Sequence, residues 1–177
     1  MESLDLQLLR FPVGTHTLVT RFDRASVDAS IAEIENFPTR LRARVTGLSD
    51  ADLDKRYRPG GWTVRQVVYH LADSHTHIYI RFKWALTEEK PLIKAYQEDR
   101  WAELPDSRLG NTEIPLRGLE SIHARWTSLM RTMDDAAFGK TFVHPETGLE
   151  NVLFDRVASY VWHGWHHLAH IDLALRV

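Results

Sequence analysis

Apolar positions along this chain recur mainly with the 3.6-residue period of helices. The pattern predicts a first long helix from about Val27 to Val45, "VDASIAEIENFPTRLRARV", with Ser26 as its N-cap. Pro38 falls inside it and should kink or split it, because proline has no N–H for the helical ladder and its ring crowds the preceding turn. "GLSDADLDKRY" reads as a turn and one short helical piece opened by Ser49, and "RPGG" as a breaker. A second long helix starts near Thr63, runs to about Thr87 and is closed by Pro91; Val64, Val68, Leu71, Ile78 and Phe82 form its core stripe. "KPLIKAYQEDRWAELPDSRLGNTEIP" follows as a long loop, of the kind that carries function or wraps over a site. A third helix spans roughly Leu116 to Met133, "FGKTFVHPETGLE" is a loop with room for a short extended piece, and a last helix covers about Val152 to Leu175. Four long helices joined by loops predict an all-α four-helix bundle. No repeat, low-complexity tract or flexible linker interrupts it, so residues 1–177 read as one domain.

Composition narrows the chemistry. With 44% hydrophobic and 26% charged residues, the chain reads as an ordinary globular protein. A formal net charge of −2 gives no strong field to favour nucleic acid or an anionic membrane. No apolar run approaches the roughly 18 residues of a spanning helix. The opening "MESLDLQLLRFPVG" has early acids and no apolar core, so it does not read as a secretory signal, and the expected location is the cytoplasm. There is no cysteine, which excludes disulfides, cysteine nucleophiles and thiolate metal sites. Any metal must be held by His, Asp or Glu.

The stretch "YVWHGWHHLAH", residues 160–170, changes the picture. It holds four of the ten histidines: His163, His166, His167 and His170. On a helical wheel they lie within one stripe roughly 100° wide, with Ser159 and Tyr160 on or beside it and Leu168, Ile171 and Leu175 on the other side. Side chains at i and i+4 leave one face a turn apart and can share a metal. Two such pairs exist, His163 with His167 and His166 with His170, and the wheel does not choose between them. A third ligand should come from elsewhere. The second helix offers His70 beside its core stripe, together with Gln66, Asp73, Ser74 and His77. Lone helical histidines are usually surface or hydrogen-bonded residues, but four within eight positions exceed ordinary usage. Their spacing, with apolar residues between, does not suit an expression tag. His75 falls on an apolar stripe and reads as a packed histidine, while His16, His123 and His144 carry no signal. The six tryptophans read as core and cavity lining.

As a set, "YRPGGWTVRQVVYHLADSHTHIYIRFKWALTEEKP", "RWAELPDS", "ARWTSLM" and "WHGWHHLAHI" resemble the YfiT branch of the DinB/YfiT-like metalloenzymes, over most of the chain from Phe11 to Ile171. The resemblance implies a four-helix bundle with three histidines around a divalent nickel or zinc ion. It implies His70, His163 and His167 as the ligands, which selects the first of the two pairs. Members of this branch have been assigned as metal-dependent hydrolases and as bacillithiol S-transferases, and some are dimers. Trp165 stands where relatives carry a polar or charged residue, but it is not a ligand position.

Three neutral imidazoles leave a divalent ion its full charge and open positions for water or substrate. Such a centre activates water or a carbonyl for hydrolysis, or holds a substrate thiol in its nucleophilic form. The resemblance tilts the expectation toward activation of a low-molecular-weight thiol of the bacillithiol type for transfer to an electrophile. Metal-dependent hydrolysis and a non-catalytic metal-binding bundle are the alternatives. A fourth ligand, His166 or His170, would close the site and favour the non-catalytic reading. Asp73, three residues after His70, is the candidate catalytic or orienting carboxylate, against a plain surface role. Arg65, Arg81 and Arg156 are candidates for the rim of a pocket holding a carboxylate-bearing thiol. Trp101 and its loop are expected to cover the bundle or to join a homodimer interface.

Overall fold

In the computed structural model, which describes residues 4–176, four long helices carry the chain. They are α2 (Arg24–Val45), α4 (Val64–Thr87), α7 (Glu113–Arg131) and α9 (Leu153–Leu175). Between and before them lie α1 (Leu4–Arg10), α3 (Asp50–Leu53), α5 (Glu98–Ala102), α6 (Pro105–Leu109), α8 (Asp135–Phe138) and a hairpin of β1 (Thr141–Val143) and β2 (Glu150–Val152). The predicted four-helix bundle is what the chain forms.

Local chemistry sets the helix starts. Asp23, not Ser26, caps α2: its carboxylate accepts the Ser26 N–H at 2.9 Å. A carboxylate satisfies the first free N–H groups and also meets the positive end of the helix dipole, so Ser26 moves into the first turn. Ser49 and Thr63 open α3 and α4 with reciprocal capping boxes to Asp52 and Gln66. Pro38 does not split α2, which runs on as one helix. The missing N–H at position 38 deprives the Ile34 carbonyl of its ladder donor. That carbonyl accepts the Nδ1–H of His123 at 2.6 Å instead.

The order around the bundle differs from the order along the chain. Both α2 and α4 pack against α7 and α9, so the consecutive pair α2 and α4 face each other diagonally. The core falls into two apolar clusters. One gathers Ile31 and Ile34 of α2, Ile78 and Phe82 of α4, Trp126 and Met130 of α7, and Val157 of α9. The other gathers Leu41, Val67, Leu71, Leu119, Leu168 and Ile171. Between them every helix changes character: Phe37 on α2, His75 on α4, His123 on α7, and Tyr160 and His163 on α9 fill the middle. Gly164 allows this layer to close, since a Cβ there would stand 2.7 Å from the Phe37 ring.

The long stretch between α4 and α7 is not a bare loop, because it contains α5 and α6 and lies along α4. Gln66 Nε2 donates to the Ala102 carbonyl at 2.7 Å, and Tyr69 OH to that of Asn111 at 3.2 Å. Arg65 donates to the Gly110 carbonyl and pairs with Asp50 and Asp54. Trp101 packs on its own bundle, its ring 5.3 Å from that of His77 and 4.9 Å from that of Tyr96. No helix among the described residues is long and apolar enough to cross a membrane.

Candidate metal centre

His70 projects from α4, and His163 and His167 from adjacent turns of α9. Their ring centroids are 5.3, 4.8 and 4.6 Å apart, and the Nε2 atoms of His70 and His163 face each other at 3.2 Å. The three rings can offer nitrogens that all lie within 4.8 Å of one another. Two nitrogens about 2.1 Å from one ion and about 100° apart around it are separated by about 3.2 Å, so the donor set fits a divalent cation. Its charge state fits as well. Burial, with neighbouring rings adding to it, pushes the His70 pKa down to about 3 and holds His163 and His167 well below the usual imidazole range. All three rings are therefore neutral at physiological pH and able to ligate.

The trio opens onto a cavity of about 380 Å³. Trp62 forms one wall, its ring centroid 4.6 Å from that of His70. Trp162 and Tyr160 form others, and the Tyr160 hydroxyl lies 3.2 Å from Ser74 Oγ. Arg81, Glu98, His144 and Glu146 give the lining its charged and titratable groups.

His166 and His170 lie outside the trio, although His166 also lines the cavity and with His167 the two form a second cluster with nitrogens within 4.8 Å of one another. His170 Nε2 lies 3.2 Å from the Arg10 carbonyl and its Nδ1 lies 3.3 Å from His167 Nδ1. Tyr57 stacks on His170 at 3.9 Å. His166 stacks on Trp162 at 4.8 Å, and its Nδ1 is buried without a hydrogen-bond partner among the described residues.

Other residues singled out in the sequence have different surroundings. Asp73 does not line the cavity; burial, with the nearby Asp106 charge adding to it, pushes its carboxyl up to about 6. Of the three candidate rim arginines only Arg81 reaches the cavity wall. Arg65 ties down the segment after α6. Arg156 pairs with the buried Asp155, which also accepts from His16 Nε2 at 2.9 Å and Val19 N–H at 2.8 Å and so fastens the N-terminal segment to α9. Among the tryptophans, Trp126 is core and Trp62 and Trp162 line the cavity, but Trp84 and Trp165 are on the surface. His144, Glu98 and Glu146 escaped the sequence reading because they lie outside the long helices, where no periodicity marks a shared face.

The bundle and its buried histidine cluster define a helical protein suited to a divalent metal, and sequence comparison places it more narrowly. The DinB superfamily model matches residues 33–171. Proteins of Bacillus mycoides and Bacillus cereus, provisionally named metal-dependent hydrolases, are each 48% identical over 92% of this chain and 93% of their own. The solved structure of YfiT from Bacillus subtilis, described as a probable metal-dependent hydrolase with an unusual four-helix bundle topology, is 44% identical. It superposes with a TM-score of 0.93 over 96% of this chain and 97% of its own. The chain belongs to the DinB superfamily, in its YfiT branch. A mycothiol-dependent maleylpyruvate isomerase shares the fold at 16% identity, with a TM-score of 0.65 over 85% of this chain and 66% of that one.

Proposed function

We propose that His70, His163 and His167 hold one divalent ion, nickel or zinc, and that this centre activates a low-molecular-weight thiol for transfer to an electrophilic carbon. The observation that carries the reading is a set of three neutral imidazoles opening onto a polar cavity. A bound ion would supply a Lewis acid that lowers the pKa of a thiol or water beside it. The chain's own residues do the rest. Trp62 and Trp162 shield the centre from bulk water. The Arg81 guanidinium suits a substrate carboxylate, and Glu98 and Glu146 suit an amine, so the lining fits a zwitterionic thiol better than a plain hydrocarbon one. In the reaction the thiol proton leaves to solvent, the S–C bond forms, and the leaving group departs with the electrons of its bond to carbon.

Hydrolysis is the second reading, favoured by the names of the Bacillus relatives. The two separate in one experiment. Untagged protein is analysed for metal, then assayed for conjugation of monochlorobimane to bacillithiol, mycothiol, glutathione and cysteine in turn, before and after chelation. The transferase reading expects conjugation with at least one thiol that is lost on chelation. Failure with every thiol, together with chelator-sensitive cleavage of ester or amide substrates, selects hydrolysis.

A further inference from the structure

The layer that divides the core contains three imidazoles in a row. His163 Nδ1 lies 3.2 Å from His75 Nε2, His75 Nδ1 lies 2.7 Å from His123 Nε2, and His123 Nδ1 lies 2.6 Å from the Ile34 carbonyl. Phe37 stacks on His75 and His123 at 5.5 and 5.8 Å and keeps the pair nearly parallel, 14° apart. The two rings are almost fully buried.

The direction of every bond in this row follows from its far end. A carbonyl only accepts, so His123 must carry its proton on Nδ1. A buried neutral imidazole has a single N–H, which leaves His123 Nε2 as an acceptor. His75 must then donate from Nδ1 and accept at Nε2, and His163 must donate from Nδ1. The lone pair of His163 is thereby placed on Nε2, the atom that faces His70 at 3.2 Å in the cavity. The Ile34 carbonyl is available to a side chain because residue 38 is proline and supplies no N–H.

We infer that Pro38, the Ile34 carbonyl, His123 and His75 form an anchored imidazole row that fixes His163 in its Nδ1–H tautomer, with the Nε2 lone pair aimed into the metal-binding cavity. The value of that tautomer rests on the metal reading proposed above. The row itself is a property of the metal-free protein. His75 and His123 act here as positioning residues, and the arrangement orients His163 and does not conduct protons, because a backbone carbonyl passes no proton on. Imidazoles that ligate metals are ordinarily held through their second nitrogen by a carbonyl, a carboxylate or a water. Here two further imidazoles carry that restraint to a carbonyl on another helix.

The first test is long-range proton–nitrogen NMR on full-length, metal-free protein with nitrogen-15 histidine, which reads the tautomer of each ring. The inference expects His163, His75 and His123 all as Nδ1–H. An Nε2–H form or a mixed population at His163 or His75 overturns it, whether or not the protein binds metal. The second test is zinc affinity by chelator competition. His123→Phe keeps a ring but removes the row's donor and acceptor, whereas His123→Gln offers an amide able to accept from His75 and donate to Ile34. The expected result is an affinity loss of about 10-fold in His123→Phe, with His163 in mixed tautomers and affinity largely kept in His123→Gln. Equal losses in the two variants, or none in either, reduce the row to packing and overturn the inference. Wild-type protein that shows the expected tautomers but binds no zinc would refute the metal reading and leave the row standing.

Discussion

One face of α9 carries two sets of histidines that sequence treats alike and the structure treats differently. His163 and His167 turn nitrogens toward His70 and an open cavity. His170, one turn further on, has both nitrogens engaged, toward His167 and the Arg10 carbonyl, and is covered by Tyr57. His166 lines the same cavity, but it packs against Trp162 and its Nδ1 is buried without a hydrogen-bond partner among the described residues. Residue type and helical spacing are the same in both pairs. The second nitrogen of each ring and the residue covering it make the difference, and both depend on elements far away in the chain: α4, backed by α7 and α2, for His163, and α1 and Tyr57 for His170.

The sharpest way to break the comparison is to remove one ring from each set. His163→Ala should weaken zinc binding by at least about 100-fold, beyond the range expected when only a supporting residue is lost. His166→Ala should change it by less than about 3-fold in the same chelator competition. Comparable losses would erase the distinction between the sets. His170→Ala should fall between them, with an affinity loss of about 10-fold, because it removes the group that holds His167 Nδ1. Zinc stoichiometry should remain one ion per chain throughout. Two ions per wild-type chain would mean that His166, His167 and His170 also bind metal.

Acid probes the layer behind His163. Burial pushes His123 down to about 4, against about 6.5 for an unfolded imidazole. Between those values the unfolded chain binds the proton and the native protein does not, so stability falls as pH drops through this window and is regained as pH rises. His123 alone should account for a loss on the order of 2 kcal/mol between pH 7 and pH 5. Urea unfolding of metal-free protein at the two pH values, with His123→Gln as the control with the smaller slope, reads this directly. The smallest effect belongs to the outer face of α9, where Arg40 lies 5.0 Å over the exposed Trp165 ring. Trp165→Ala should cost about 0.5 kcal/mol in urea unfolding and leave zinc affinity unchanged.

What could be read from the sequence follows from the same physics. The long helices were legible because apolar residues at helical spacing must bury one face, and their boundaries mostly moved by a few residues. The histidine-rich stretch was legible because its four rings share one turn-spaced stripe. The wheel could not choose between the two i, i+4 pairs, since the choice depends on α4, α1 and Tyr57 arriving from elsewhere. His123 gave no local signal because its partners are the Ile34 carbonyl and His75, 89 and 48 residues away. Pro38 was visible as a helix breaker, but which group would take the carbonyl it frees was not. Asp73 looked aligned with His70 on a wheel, yet α6 brings Asp106 beside it.

The diagonal placement of α2 and α4 has a consequence for biosynthesis. As the chain leaves the ribosome, neither of these helices has its main packing partner until α7 appears, and the groove between them stays open on one side until α9 does. His70 waits 93 residues for His163. Closing such distant contacts is entropically slow compared with forming a local hairpin. The three-histidine cluster is therefore assembled last, after the rest of the bundle has been translated, and a nascent chain that ends before α9 exposes His70 alone.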